Sequence, residues 1–130
     1  MVIDGSKLDA VKIPEPFERL IKVYLAPDTQ DIVKDISITM GIIYPHCQND
    51  LHCHEGFELL YIISGYGQAV LGDQTYELKA DSLMVCPPGV MHRQINNSDE
   101  TMKMLAIWTP AVTKEEVLDR AMTAAKVQSK

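Results

Sequence analysis

Between Arg19 and Thr109 the chain is cut into short apolar runs separated by Gly and Pro, and this punctuation constrains the fold more than any other feature. "RLIKVYLAP" alternates as a strand does. "VKDISITMGIIYP" alternates better, with Ile36, Ile38 and Met40 on one face and Ser37 and Thr39 on the other. "FELLYIIS" is apolar on both faces, the pattern of a strand covered on both sides. "YGQAVLGDQTYELKA" reads as two strands around a Gly72-Asp73 turn, and "SLMVC" and "TMKMLAIWT" complete the set. Many short strands at close spacing predict an all-β sandwich or barrel.

The two ends differ from this middle. Residues 1–19 contain Pro14 and Pro16, which disfavour a continuous helix, and are expected to form an extended arm. Residues 20–110 form the expected barrel. Residues 111–130 read as a helix. Thr113 with Glu116 three residues later is a capping-box signature, and Val117, Leu118, Ala121, Met122 and Ala125 then share one helical face. That face is expected to pack on the barrel or on a partner subunit. No repeat, low-complexity tract or interdomain linker interrupts the chain.

Charge and cysteine usage narrow the function. The net charge is −6 with no clustered basic stripe, which argues against nucleic acid as a partner. Cys47, Cys53 and Cys86 are odd in number and form no CxxC pair, so a disulfide scaffold is not expected and a reducing compartment fits. The start "MVIDGSKLDA" has no apolar stretch of the secretory kind, and "LLYII" is far too short to cross a bilayer. The expectation is a cytoplasmic protein without membrane contact.

Four histidines, His46, His52, His54 and His92, lie close together in the sequence. In "HCHEGFE", strand alternation points His52 and His54 the same way and Cys53 the other. Their Cα atoms would be ~6.6 Å apart, so both imidazoles can lean onto one cation at ~2 Å. A straight strand would carry Glu58 ~13 Å past His54, out of reach. Glu58 joins only if the chain turns first, and Glu55-Gly56 is the expected turn, with glycine accepting positive φ and the following strand returning beside the first. In "CPPGVMH", Pro88-Gly89 suits the centre of a type II turn leading into a strand with His92, Gln94 and Asn96 on one face. Three histidines and a glutamate can then converge.

These two stretches resemble the cupin motifs. His52, His54, Glu58 and Gly65 match the first, and Pro87, Gly89, His92 and Asn96 match the second, within a resemblance covering roughly residues 33–110. The chain is similar to small single-domain cupins of the conserved-barrel kind. The resemblance implies a double-stranded β-helix, a jelly-roll barrel, to which the C-terminal α-helix read at residues 111–130 is added. It also implies one divalent metal ion held by His52, His54, Glu58 and His92. Two positions depart from the pattern: His46 and Asp81 stand where the family has turn glycines.

Other readings of the same residues stay open. His52 and His54 could be polar residues at a sheet edge, or part of a closed structural zinc site, although the paired Cys/His knuckles usual there are missing. His46 is either a rim residue or an addition to the pocket. Gln94 either orients a ligand or finishes a polar pocket. His46 and Gln94 are the candidates for proton or orientation work beside the metal. Met84, Met91, Met102 and Met104 could line a pocket or fill the core, and Trp108 and Tyr44 could form a pocket wall. The mixed nitrogen and oxygen set suits Fe, Mn, Ni, Co, Cu or Zn, and four ligands on a six-coordinate ion leave two positions for a substrate. The functional expectation is a metalloenzyme acting on a small oxygen-rich metabolite, of dioxygenase, isomerase, decarboxylase or lyase type. The alternative is a non-enzymatic small-ligand or metal-responsive sensor. A homodimer is expected, because the doubly apolar strand and the apolar helix face both need cover.

Overall fold

The computed structural model describes residues 1–128; Ser129 and Lys130, the end of the expected helical segment, lie outside the described residues. Among the described residues nine strands make two antiparallel sheets. They are β1 (Val11–Ile13), β2 (Arg19–Leu25), β3 (Ser37–Ile43), β4 (Phe57–Ser64), β5 (Tyr66–Leu71), β6 (Gln74–Lys79), β7 (Leu83–Cys86), β8 (His92–Ile95) and β9 (Met102–Thr109), followed by the helix α1 (Lys114–Gln128). The larger sheet runs β1-β2-β3-β9-β4-β7 and the smaller β6-β5-β8. Together they close a jelly-roll barrel, the double-stranded β-helix, around one core that includes Ile43, Leu60, Ile62, Met84, Met102 and Met104.

The expected turns are in place. The β5–β6 hairpin closes with Leu71 opposite Gln74 and Gly72 at φ +60°. Gly89 has φ +76°, and the Val90 N–H donates to the Pro87 carbonyl at 3.3 Å, as a type II turn requires. His46 and Asp81, the two residues standing where glycine was expected, keep the left-handed backbone with φ +60° and +77°. The left-handed geometry is thus held at these two turns by residues that adopt it at a cost.

Strand β3 alternates as expected, and its polar face turns inward: Ser37 and Thr39 are buried. They are satisfied there, since Ser37 Oγ accepts from the Val112 N–H at 2.9 Å and Thr39 Oγ1 accepts from Trp108 Nε1 at 3.3 Å. Two readings of the sequence are corrected. Strand β4 is covered on one face only. Glu58, Leu60 and Ile62 point inward, whereas Phe57, Tyr61 and Ile63 are exposed, beside exposed Leu83 and Val85 of β7. On α1, Val117, Ala121 and Ala125 are buried but Met122 is exposed, so the packed face is narrower than the apolar pattern suggested.

Helix α1 is fixed at its start twice over. Thr113 Oγ1 accepts from the Glu116 N–H at 3.0 Å, and Asp28 receives the N–H groups of Lys114 and Glu115 at 2.8 and 3.3 Å. Together these satisfy the first free backbone donors of the helix. Its buried face joins the core, and one helical turn past Val117 it presents Arg120 to the barrel mouth.

Candidate metal centre

The segment carrying His52 and His54 is extended but is not a strand of either sheet. It is fastened to β8 by two isolated bridges, Gln48 to Ile95 and His52 to His92. The chain then bends at Glu55-Gly56 and enters the other sheet as β4, where Glu58 lies opposite Trp108 and Cys86. So β4 does not return beside the histidine segment as expected; the carboxylate reaches the imidazoles across the barrel, from the facing sheet. The role of Gly56 also differs. Its backbone is not left-handed; instead a Cβ there would sit 2.6 Å from Pro110 Cδ and 2.8 Å from the Thr109 carbonyl. Glycine is required by close approach, not by φ.

His52, His54, Glu58 and His92 come together, with one potential ligand atom from each lying within 4.8 Å of the others. His92 Nε2 is 3.0 Å and His54 Nε2 3.2 Å from Glu58 Oε1. Neighbouring donors around a six-coordinate ion with bonds of ~2.1 Å are ~3.0 Å apart, so the spacing fits a metal ion. The tautomers fit as well. His52 Nδ1 lies 2.7 Å from the Asp50 carbonyl and His92 Nδ1 3.0 Å from the Val90 carbonyl. A carbonyl only accepts, so both Nδ1 atoms carry a proton and donate it, which leaves each Nε2 to bind a metal ion or, with none bound, to take a second proton; on His92 that proton is donated to Glu58.

Burial and charge act together here. Burial alone would raise the Glu58 carboxyl, but hydrogen bonds and charge from His54 and His92 outweigh it and bring it to about 2. Burial lowers His52 from its ordinary value, with the Asp50 hydrogen bond opposing. Burial and the nearby Glu58 push the Cys86 thiol to about 12, which keeps it protonated and out of ligand chemistry.

Of the two residues expected beside the metal, the structure brings one. Gln94 is buried and faces the cavity that His52 and Glu58 line. Its Oε1 accepts from Asn49 Nδ2 at 2.8 Å, and among the described residues its Nε2 donates only to the Met84 sulfur at 3.4 Å. His46 is elsewhere: its exposed ring pairs with Asp99 at 2.6 Å over a different surface hollow.

The sequence reading missed a charged group behind His52. Asp50 is buried and receives Arg120 Nη1 at 2.8 Å, with Arg19 Nη2 at 3.5 Å and His52 Nδ1 at 3.3 Å. Burial alone would raise the Asp50 carboxyl; these partners hold it well below the carboxylate range. Burial lowers the Arg19 guanidinium to about 10, which leaves it charged at neutral pH. The parity of Asp50 with His52 was a readable signal; its arginine partners, on β2 and α1, were not.

Two cavities meet at the cluster. An inner one of about 50 Å³ is lined by His52, Glu58, Gln94, Arg19, Trp108 and Arg120 among others. An outer one of about 550 Å³ opens past His54 and also touches Trp108, Val117 and Arg120. Trp108 stands with its ring centroid 4.4 Å from that of His54 and forms part of the wall between the two cavities.

Comparison with known proteins agrees with this architecture. The chain is similar to the L-ectoine synthase of Aliivibrio fischeri (strain MJ11), 29% identical over 84 residues, covering 64% of this chain and 66% of that protein. It thus spans about two thirds of that relative's length. In fold it is similar to a predicted oxalate decarboxylase from Thermotoga maritima, with TM-score 0.76 and 22% identity over 85% of this chain and 99% of that one. It is also similar to KdgF from Halomonas sp., with TM-score 0.72 and 13% identity over 90% and 99% of the two chains. Residues 40–108, more than half of the chain and including all four clustered residues, match the family described as the cupin domain. The chain belongs to the cupin family.

Proposed function

We propose that this protein is a metal-dependent enzyme acting on a small oxygen-rich metabolite, with His52, His54, Glu58 and His92 holding one divalent ion. One observation carries the reading. His92 Nε2, on a ring whose Nδ1 already carries a proton, faces a Glu58 carboxylate oxygen at 3.0 Å. Two acceptors at that distance repel one another unless a cation serves both. The geometry is relieved by a metal ion, or by a proton when none is bound.

A bound divalent ion supplies Lewis-acid polarisation of substrate oxygens. The chain's own residues do the rest. Gln94 is held by Asn49 but among the described residues donates its amide only to a thioether, a weak acceptor that a substrate oxygen displaces. Trp108 and Val117 line both cavities beside the cluster. His46 has no part in this reading. The relatives named for small molecules, an L-ectoine synthase and a predicted oxalate decarboxylase, support a small-molecule substrate. Among the described residues no helix is long and apolar enough to cross a membrane.

The test is elemental analysis of protein purified without added metal or chelator, beside His52→Ala. Near one equivalent of Fe, Mn, Ni, Co, Cu or Zn, lost in the variant, supports the centre. A redox-active metal leads to oxygen-consumption assays and zinc or nickel to isomerase and lyase assays. No metal in either sample, and no uptake on reconstitution, overturns it. A ligand bound stoichiometrically and recovered unchanged would replace the enzyme with a binding module.

We also infer a homodimer. Exposed Phe57, Tyr61 and Ile63 of β4 adjoin Leu83 and Val85 of β7 on the open side of the larger sheet, an apolar surface of the kind a second copy covers. Light scattering should give twice the chain mass, reverting to the monomer in Leu83→Asp. A wild-type monomer at micromolar concentration overturns the dimer.

A further inference from the structure

The charged group behind His52 has more positive than negative charge. Arg19 and Arg120 share one carboxylate, Asp50. Both arginines line the inner cavity together with His52 and Glu58, and Arg120 also lines the outer one. Arg120 is only partly satisfied. Its Nη1 pairs with Asp50, while its Nε is buried and has no hydrogen-bond partner among the described residues. A buried N–H of a charged group without an acceptor is costly, and guanidinium groups accept carboxylates in paired, fork-like geometry. Asp50 Oδ1 is likewise buried without a hydrogen-bond partner, so the Arg120–Asp50 pair is only half made, and Arg120 lines both cavities with part of its guanidinium uncommitted.

We propose that Arg120 is the anion-selecting residue of this site, and that the ligand is a small organic acid whose carboxylate pairs with the Arg120 guanidinium where it lines the two cavities, with Arg19 adding charge. This rests on the metal reading only for the far end of the ligand, where an oxygen would reach the ion at His52, His54, Glu58 and His92. Trp108 and Val117, beside Arg120, form the wall along which the carbon skeleton lies. Exposed Glu55 and Glu116 stand at the outer rim. There water screens them, whereas the arginines act inside, at lower dielectric. Selection by α1 explains why a helix outside the barrel is capped twice and anchored into the core: it must hold one guanidinium in register with a centre built by the strands.

The test uses full-length protein, metal-free and loaded with Co(II), titrated calorimetrically with malonate, succinate and glutarate and with the neutral succinamide. We expect at least one diacid to bind, and succinamide to bind much more weakly. Arg120→Met should weaken the diacid about tenfold or more, as loss of a charged hydrogen bond does. Arg120→Lys should recover part of that loss. Both variants should keep the wild-type Co(II) absorption spectrum before ligand is added, which shows that fold and centre survive. Equal diacid affinity in wild type and Arg120→Met, or no diacid binding to wild type in either metal state, overturns the proposal. Failure of wild type to take up Co(II), with the Arg120 dependence intact in metal-free protein, sinks the metal reading and leaves the arginine site standing.

Discussion

His52 and His92 face each other across an isolated antiparallel bridge: the His52 N–H donates to the His92 carbonyl at 3.1 Å and the His92 N–H to the His52 carbonyl at 2.7 Å. The two backbones hold one another whether or not the rings hold anything. The imidazoles are therefore preorganised, with centroids 4.5 Å apart, and metal binding need not fold the loop.

Ligand loss should consequently separate from fold loss. In His54→Ala, metal content should fall to near zero. The melting temperature of the metal-free variant should fall only by the loss of the His54–Glu58 contact, about 1–3 kcal/mol, with unfolding still cooperative. Elemental analysis and calorimetry on the same samples check this. A collapse in melting temperature would instead mark His54 as a packing residue.

The motif glycines should not be equivalent. Gly65, at φ +92°, has the Thr101 carbonyl 2.6 Å from where a Cβ would stand, whereas Gly89, at φ +76°, has open space there. Gly89→Ala should cost ~1–2 kcal/mol from backbone strain alone, and Gly65→Ala ~3 kcal/mol or more. At the left-handed His46, His46→Gly should cost nothing or stabilise by up to ~1 kcal/mol. Urea denaturation of the three variants gives the order.

Asn96, the last residue of the second motif, works as a staple and not at the metal. Its Nδ2 donates to the carbonyls of Ile43, Tyr44 and Glu100 at 3.0, 3.1 and 2.7 Å, and its Oδ1 accepts from Ser98 N–H at 3.1 Å. Asn96→Ala should cost ~2–3 kcal/mol in chemical denaturation, because buried carbonyls lose their donor, while metal content stays unchanged.

Acid should destabilise the metal-free protein in two stages. His52 is held below its ordinary 6.5, mainly by burial, so the unfolded chain takes up that proton first and stability declines as pH drops through 6.5. Glu58 is held at about 2 against an ordinary 4.5, so its contribution is present above 4.5 and lost as pH falls toward 2. Melting curves from pH 7 to 2 should show both declines, and Glu58→Gln should flatten the second. An unchanged lower stage in that variant would contradict the assignment.

The strands were legible because alternation and turn residues are local. So were the four clustered residues, since two spaced motifs carry them. Which face of β3 turns inward was not legible: Ser37 and Thr39 find hydrogen-bond partners at Val112 and Trp108, a tertiary event that no local pattern encodes. Gly56 was read as a φ requirement because its neighbour in space, Pro110, lies far along the chain. The Asp50–Arg120 pair spans 70 residues and joins a loop to a helix, so neither periodicity nor spacing announced it.

The alternation that turns His52 and His54 inward leaves Cys53 exposed between them. Its two companions are poorly reactive: Cys86 is buried, and burial with nearby Glu18 and Glu15 raises the Cys47 thiol. A maleimide dye or nitroxide will therefore attach to the Cys53 thiol, between two residues of the cluster and at the lip of the outer cavity, without any engineered cysteine. The chain carries its own spectroscopic gauge, one whose quenching or relaxation would report a paramagnetic ion directly. By the same token, air oxidation would tether two molecules mouth to mouth, so samples kept without reductant should lose access to the cavity before they lose their fold.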